Sequence, residues 1–194
     1  MKAYIGVLAT ALLVGCQSEA ATLNTDHLKV YQDAHDTGEE QPTMYKANSV
    51  EEALESLPFQ LRIPTDLPET YGSFDSVLIS DFKDPEDKQD IGISLTAFTE
   101  GRDKKSIAIF AADFELVDFE QLIQHSKEIK LSNGQKVFYS ASSNKEGEGF
   151  QSPSVYWIED GVLHEISHAG VGDNSEQVKE LLMDLVSQMV RGYK

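Results

Sequence analysis

The chain has few of the residues on which many kinds of functional site depend. Its 194 residues include one cysteine, Cys16, so an internal disulfide cannot form. It also has no glycine-rich phosphate loop, no G-x-S-x-G nucleophile motif and no C-x-x-C pair. The sequence therefore gives no indication of phosphate-loop nucleotide binding, of α/β-hydrolase chemistry or of dithiol redox catalysis.

Positively charged residues are also scarce. Lys and Arg together number 16 against 33 Asp and Glu, which gives a formal net charge of −17. Such an acidic surface repels phosphate backbones, so we do not expect nucleic acid to be a partner. It would attract divalent cations or basic proteins, but only weakly and without specificity.

The first residues have the pattern of a bacterial export signal. Lys2 precedes an apolar run that ends in Leu13-Val14-Gly15-Cys16, and this run is too short to be a stable membrane span. These four residues resemble the bacterial lipobox, in which cleavage occurs before a cysteine that becomes acylated. We predict a lipoprotein signal peptide at 1–15, lipid attachment at Cys16 and a location on the extracytoplasmic face of the cell membrane. An ordinary signal followed by a chance cysteine is the alternative.

The rest of the chain divides into a polar segment and a folded domain. Residues 16–48 are mostly aperiodic, which predicts that the acylated cysteine is followed by a flexible tether. The extracytoplasmic domain is predicted at 49–194. A capping box begins a short helix at Ser49–Leu57, and an apolar stripe at helical spacing predicts a closing amphipathic helix at Ser175–Arg191.

Between these helices, alternating apolar and polar residues predict an antiparallel sheet of about five to seven strands. Asn133-Gly134 indicates a hairpin turn, Asp118–Ser126 one or two helical turns, and Ser142–Pro153 a mobile loop. The predicted fold class is therefore α+β, with an antiparallel sheet packed against the C-terminal helix and a short N-terminal helix. The other strand-like runs are Phe59–Ile63, Asp75–Phe82, Ile91–Phe98 and Ser106–Ala111.

The residues from His164 to His168 match H-E-x-x-H, which on a helix would be a zinc-hydrolase site with Glu165 as its base. The Asp160-Gly161 turn and the alternation around it instead predict a β-hairpin in which Trp157 lies opposite His164. On a strand that rises about 3.3 Å per residue, the two histidines would be about 13 Å apart, too far to share a zinc ion. We therefore reject His164, Glu165 and His168 as metal ligands and expect no cofactor.

Two short motifs resemble a bacterial domain-of-unknown-function family. They are Ile63-Pro64-Thr65-Asp66-Leu67-Pro68-Glu69-Thr70-Tyr71 and Tyr156-Trp157-Ile158-Glu159-Asp160-Gly161. In this family of secreted and membrane-anchored Gram-positive proteins, a short helix and a proline strap lead into an antiparallel sheet, a tryptophan hairpin and a closing helix. Some members are the outer ends of anti-sigma factors or are envelope and sporulation lipoproteins. The resemblance, which covers about Ser49 to Arg191, assigns no catalytic residue.

These features together predict a non-enzymatic, lipid-anchored binding module of the cell envelope. Its expected partners are the membrane, through acylated Cys16, and an envelope protein or a small ligand. Trp157 and Tyr156, beside the loop at Ser142–Pro153, form the candidate binding surface. One alternative is a structural envelope or sporulation lipoprotein. The other is a zinc-dependent hydrolase that uses the H-E-x-x-H match.

Overall fold

A computed structural model gives the tertiary structure of the chain. It describes residues 22–32, 41–83, 89–101, 104–114, 118–141, 143–145, 149–170 and 174–192. The predicted signal peptide and Cys16 lie outside these ranges. Within them, the chain forms a nine-stranded antiparallel sheet, a separate two-stranded ribbon and helices, so the predicted α+β class is confirmed. No helix in the described ranges is long and apolar enough to cross a membrane.

The described strands are β1 Lys29–Gln32, β2 Thr43–Lys46, β3 Ser76–Lys83, β4 Gln89–Phe98, β5 Ser106–Ala112, β6 Lys127–Lys130, β7 Lys136–Ser140, β8 Ser143–Lys145, β9 Gly149–Gln151, β10 Ser154–Glu159 and β11 Val162–Ala169. The described helices are α1 Val50–Ser56, α2 Phe119–Ile123 and α3 Ser175–Met189. The large sheet has the lateral order β1-β2-β3-β4-β5-β11-β10-β7-β6. The first five strands thus form a meander, and the β10–β11 hairpin lies between this meander and the β6–β7 hairpin.

One face of the sheet, here called the core face, is covered by α1 and α3. A row of cross-strand partners runs along it through Ile79, Ile93, Ala111, His164 and Trp157, and every member of the row is buried. Helix α3 packs against β10 and β11 through the predicted apolar stripe. The buried residues of that stripe are Val178, Leu182, Leu185, Val186 and Met189.

The segment at 16–48 differs from the flexible tether that its polar composition predicts. Within it, Lys29–Gln32 and Thr43–Lys46 are strands β1 and β2, and β2 pairs along β3. Leu23 is buried, and the Asn24 N–H donates a hydrogen bond to the Ser56 carbonyl at 2.9 Å. The tether prediction is therefore wrong for the described part of this segment, and the sheet has more strands than we predicted. These are the two outermost strands at one end of the sheet, and they bury little apolar surface, so they lack a clear alternating pattern.

Two other segments also differ from their predictions. Phe59–Ile63 is not part of the sheet, although its apolar residues alternate. The proline-containing segment that follows it is hydrogen-bonded to α3. The Thr65 and Asp66 N–H groups both donate to Gln188 Oε1, at 3.1 and 3.0 Å. The segment predicted as a mobile loop, Ser142–Pro153, contains the paired strands β8 and β9.

The buried stripe of α3 gives a test of how the helix stabilises the fold. Leu182 and Leu185 are fully buried, so replacing either residue by alanine should lower the free energy of unfolding by about 2–5 kcal/mol. Urea unfolding measures this loss. Glu180→Ala, at an exposed position of the same helix, is the control and should change stability by less than about 0.5 kcal/mol. A change that small at both leucines would show that α3 does not pack as described.

Candidate functional site

The β10–β11 hairpin has the predicted register. Asp160 and Gly161 have φ angles of 52° and 83°, and positive values at both positions are those of a two-residue type I′ turn. Trp157 consequently lies opposite His164. The two rings are stacked, with centroids 4.9 Å apart and an angle of 9° between their planes. The predicted hairpin is therefore confirmed.

Strand alternation separates the members of the H-E-x-x-H match. His164 and His168 are buried on the core face, whereas Glu165, which lies between them in β11, is on the opposite face. The Nε2 atom of His168 is 2.7 Å from the hydroxyl oxygen of Tyr71. Among the described residues, no group of three or more His, Cys, Asp and Glu side chains could hold a metal ion.

The two residues predicted to form a binding surface also lie on opposite faces. Trp157 is 1% exposed and belongs to the hydrophobic core, so it cannot contact a ligand that approaches from solvent. The prediction for Trp157 is corrected accordingly. Tyr156 is half-buried and lies on the face opposite the core, here called the open face, beside its cross-strand partner Glu165.

A pocket with a volume of about 590 Å³ lies on the open face. Strands β7, β10 and β11 supply one part of its lining, and α2 with the turn after it supplies another. We call this cavity the open-face pocket. Its lining residues are Gln121, Leu122, His125, Ser140, Ser152, Ser154, Tyr156, Glu165 and Ser167.

Local interactions hold α2 in place beside the sheet. The Asp118 side chain caps the helix by accepting a hydrogen bond from the Glu120 N–H at 3.0 Å, which satisfies one of the unpaired donors of the first turn. The Phe119 ring packs edge-on against Phe138 of β7, with centroids 5.6 Å apart. This contact orients the helix so that Gln121 lines the pocket.

Glu165 is the one carboxyl group among the residues that line the open-face pocket. Its Oε1 atom accepts a hydrogen bond from Ser154 Oγ at 3.1 Å, and the same hydroxyl is 3.1 Å from the Ser152 carbonyl oxygen. Burial raises the pKa of Glu165, while hydrogen bonds from Ser154 and Tyr156 act in the opposite direction. Burial also raises the pKa of Tyr156, and the charge of Glu165 adds to this effect. The pocket therefore holds a carboxyl group whose charged form is poorly solvated.

A smaller cleft of about 390 Å³ lies beside His164. At its edge Arg191 forms an ion pair with Asp160, and the Arg191 N–H donates to Glu159 Oε1 at 3.1 Å. Burial lowers the pKa of His164 to about 4, against a smaller opposite effect from the charge of Asp160. The His164 Nδ1 atom has no hydrogen-bond partner among the described residues. His164 is consequently neutral in the folded protein at neutral pH.

The sequence did not single out every residue of this site. Ser154 and His125 belong to no catalytic or metal motif, and Ser167 occupies only a variable position of the H-E-x-x-H match. His125 reaches the pocket because α2 packs on the sheet. Glu165 attracted attention as part of a zinc motif rather than as a binding residue. Strand alternation puts Glu165 on the other face of the sheet from His164. This alternation is the signal that could have identified Glu165 as a binding residue.

Comparison of the chain with protein-family models, with curated proteins and with solved structures found no match. The family resemblance carried by the proline strap and the tryptophan hairpin therefore stays a prediction. The chemistry of the site follows from its geometry and its electrostatics.

The buried imidazole of His164 predicts a specific loss of stability in acid. The unfolded chain binds a proton at His164 below about pH 6.5, whereas the folded chain binds it only below about pH 4. The contribution of His164 is thus complete above pH 6.5 and is lost as the pH falls towards 4, by on the order of 3 kcal/mol. Urea unfolding across this pH range measures the loss.

His164→Phe is the matched variant, because phenylalanine keeps an aromatic ring against Trp157 but does not titrate. The difference in stability between wild type and variant should change with pH between about 6.5 and 4 and should be constant above that range. A constant difference across the whole range would contradict the buried, neutral state of His164.

Proposed function

We propose that this protein is a lipid-anchored binding module of the bacterial cell envelope and that the open-face pocket is its ligand site. The observation that carries the proposal is the position of Glu165, a half-buried residue whose carboxyl group lines a cavity of about 590 Å³. Cavities of about 300–1,000 Å³ hold small molecules, with a few polar groups fixing the orientation of the ligand. The hydroxyl groups around Glu165 are well suited to this role.

The hydrogen bonds of the pocket favour binding over nucleophilic catalysis. A serine nucleophile is activated by a base to which its hydroxyl group donates, commonly a histidine. Here the Ser152 carbonyl oxygen, which is not a base, competes with Glu165 for the single proton of the Ser154 hydroxyl. Ser154 is also buried on the sheet, where its bond to Glu165 fixes the position of the carboxyl group. We therefore assign Ser154 to positioning Glu165.

The lipobox at Leu13–Cys16 supports the anchoring part of the proposal. Leu23 is already buried in the domain, and the chain between Cys16 and Leu23 can span at most about 25 Å at its full extension. An acylated Cys16 would therefore hold the domain close to the membrane surface. Ligands that diffuse along or near the envelope would then reach the open-face pocket.

Anchoring predicts lipid attachment at one residue. Cells that express the protein and grow with labelled palmitate should incorporate the label into the wild-type chain, because Cys16 is the only cysteine and the lipobox places it at the cleavage site. Cys16→Ala should remove the label and release the protein from the membrane fraction. Label that persists in the Cys16→Ala protein would contradict the anchor.

The pocket part of the proposal predicts that filling the cavity prevents binding. Ser167→Trp places a large side chain on the lining of the pocket, and Ala169→Trp is the matched control, since Ala169 lies on the same strand and face but outside the lining. The small-molecule fraction of an envelope extract should raise the melting temperature of the wild type and of Ala169→Trp. A ligand present at about 100 times its Kd adds about 2.7 kcal/mol of stability.

Ser167→Trp should not respond to the same fraction. A fraction that stabilises all three proteins equally would show binding elsewhere. If anchoring is observed but the fraction stabilises none of them, the structural lipoprotein becomes the better interpretation.

A further inference from the structure

The described lining of the open-face pocket carries a negatively charged group without a lysine or arginine to balance it. Glu165 is acidic, and no lysine or arginine is among the described lining residues. His125, an exposed residue at the wall formed by α2 and its turn, is the one basic side chain of the lining. On the outer strands, Lys136 is paired with Glu128 at 3.1 Å. Among the described lining residues, therefore, no lysine or arginine neutralises Glu165.

Glu165 keeps unused capacity to accept hydrogen bonds. A carboxylate has about four acceptor positions, and Ser154 and Tyr156 are the donors that act on Glu165 from the protein. Since Ser154 shares its hydroxyl with the Ser152 carbonyl, it compensates the charge only in part. A ligand with several N–H donors would complete the hydrogen bonding of the carboxylate.

Tyr156 places an aromatic ring beside this carboxylate. It is the cross-strand partner of Glu165, and such partners have Cβ atoms about 4.5–5.5 Å apart on the same face. An ammonium group at this position can contact the carboxylate and the ring together, and a cation over an aromatic face is attracted by the ring quadrupole. The net charge of −17 also draws cations towards the protein.

We propose that the open-face pocket binds the primary ammonium group of a small organic cation, with Glu165 as its counter-ion and Tyr156 as its aromatic contact. This inference rests on the proposed function, because it takes the open-face pocket to be the ligand site. The ligand keeps its three N–H bonds, and no covalent bond forms or breaks within it. When Glu165 is protonated before binding, its proton passes to solvent as the ion pair forms.

Proton release gives the binding a defined pH dependence. Burial raises the pKa of Glu165 in the free protein, and a bound cation lowers it by stabilising the carboxylate. Affinity for the cation should therefore rise with pH until Glu165 is ionised in the free protein, and should then level off. His125 lines the pocket and Glu120 lies on the adjoining helix α2, so the pH profile must be compared between variants.

Titration calorimetry of the full chain in detergent micelles tests the proposal with three probes of similar length. Putrescine carries ammonium groups, butanediol is the neutral analogue, and succinate is the anionic one. At about 0.15 M salt, where exposed charges are screened beyond about 8 Å, we expect putrescine to bind and the other two probes not to compete with it.

Three variants define where the probe binds. Glu165→Gln keeps the size and the acceptor oxygen of the side chain, and it should weaken putrescine binding at least about tenfold, the effect of losing one charged hydrogen bond. It should also abolish the rise of affinity with pH. Glu120→Gln removes the same charge from an exposed position of α2 and should change the Kd by less than about twofold. Ser167→Trp should prevent binding by filling the pocket.

Each alternative result has one meaning. Putrescine binding that survives both Glu165→Gln and Ser167→Trp is non-specific attraction to an acidic surface, and it overturns the proposal. Butanediol or succinate binding as tightly as putrescine, and lost in Ser167→Trp, rejects the ammonium ligand but keeps the pocket. If no probe binds while the envelope fraction still stabilises the wild type, the ammonium ligand is rejected and the open-face pocket is kept as the ligand site. If neither the probes nor the fraction bind, both the ammonium-binding proposal and the proposed function are rejected.

Discussion

The turn at Asp160-Gly161 fixes the register of the hairpin that joins the two parts of the sheet. Both residues have positive φ angles, and the resulting two-residue loop places Trp157 opposite His164. Strand β11 then pairs with β5, and β10 with β7, so the meander and the outer hairpin are connected through these two strands. A slip of one residue would bring Glu165 into the core and expose His164. Because burying an unpaired carboxylate is strongly unfavourable, the register is well specified.

Alternation along the hairpin gives its two faces different chemistry. On the core face, Trp157 and His164 pack beneath α3 and carry no charge at neutral pH, since burial keeps His164 neutral. On the open face, Tyr156 and Glu165 line the open-face pocket. Ser154 and Tyr156 both donate hydrogen bonds to the Glu165 carboxylate. One structural rule thus separates the histidines from the glutamate of the H-E-x-x-H match and creates the candidate binding site.

The proposed anchor and the proposed ligand are consistent with the same electrostatic field. A net charge of −17 opposes contact with anionic lipid headgroups, and the proposed acyl chains on Cys16 would supply the hydrophobic energy that holds the domain close to a membrane. The same field concentrates small cations around the domain and increases their rate of encounter with the open-face pocket. The acidic composition, from which we expect no nucleic-acid partner, also indicates which ligand charge the proposed site would accept.

Much of the local structure could be predicted from the amino-acid sequence, because it depends on residues that are close together in the chain. The cap at Ser49, the turns at Asn133-Gly134 and Asp160-Gly161, and the stripe of α3 are short-range or periodic signals, and the α+β class follows from them. The two outermost strands at one end of the sheet, Lys29–Gln32 and Thr43–Lys46, were missed. They bury few apolar side chains, so their backbone pairing produces no alternating pattern in the sequence. Only the tertiary structure decided the strand order, the burial of Trp157 and the pocket around Glu165. Each of these depends on contacts between distant segments, whose free energy comes from packing and not from any local pattern.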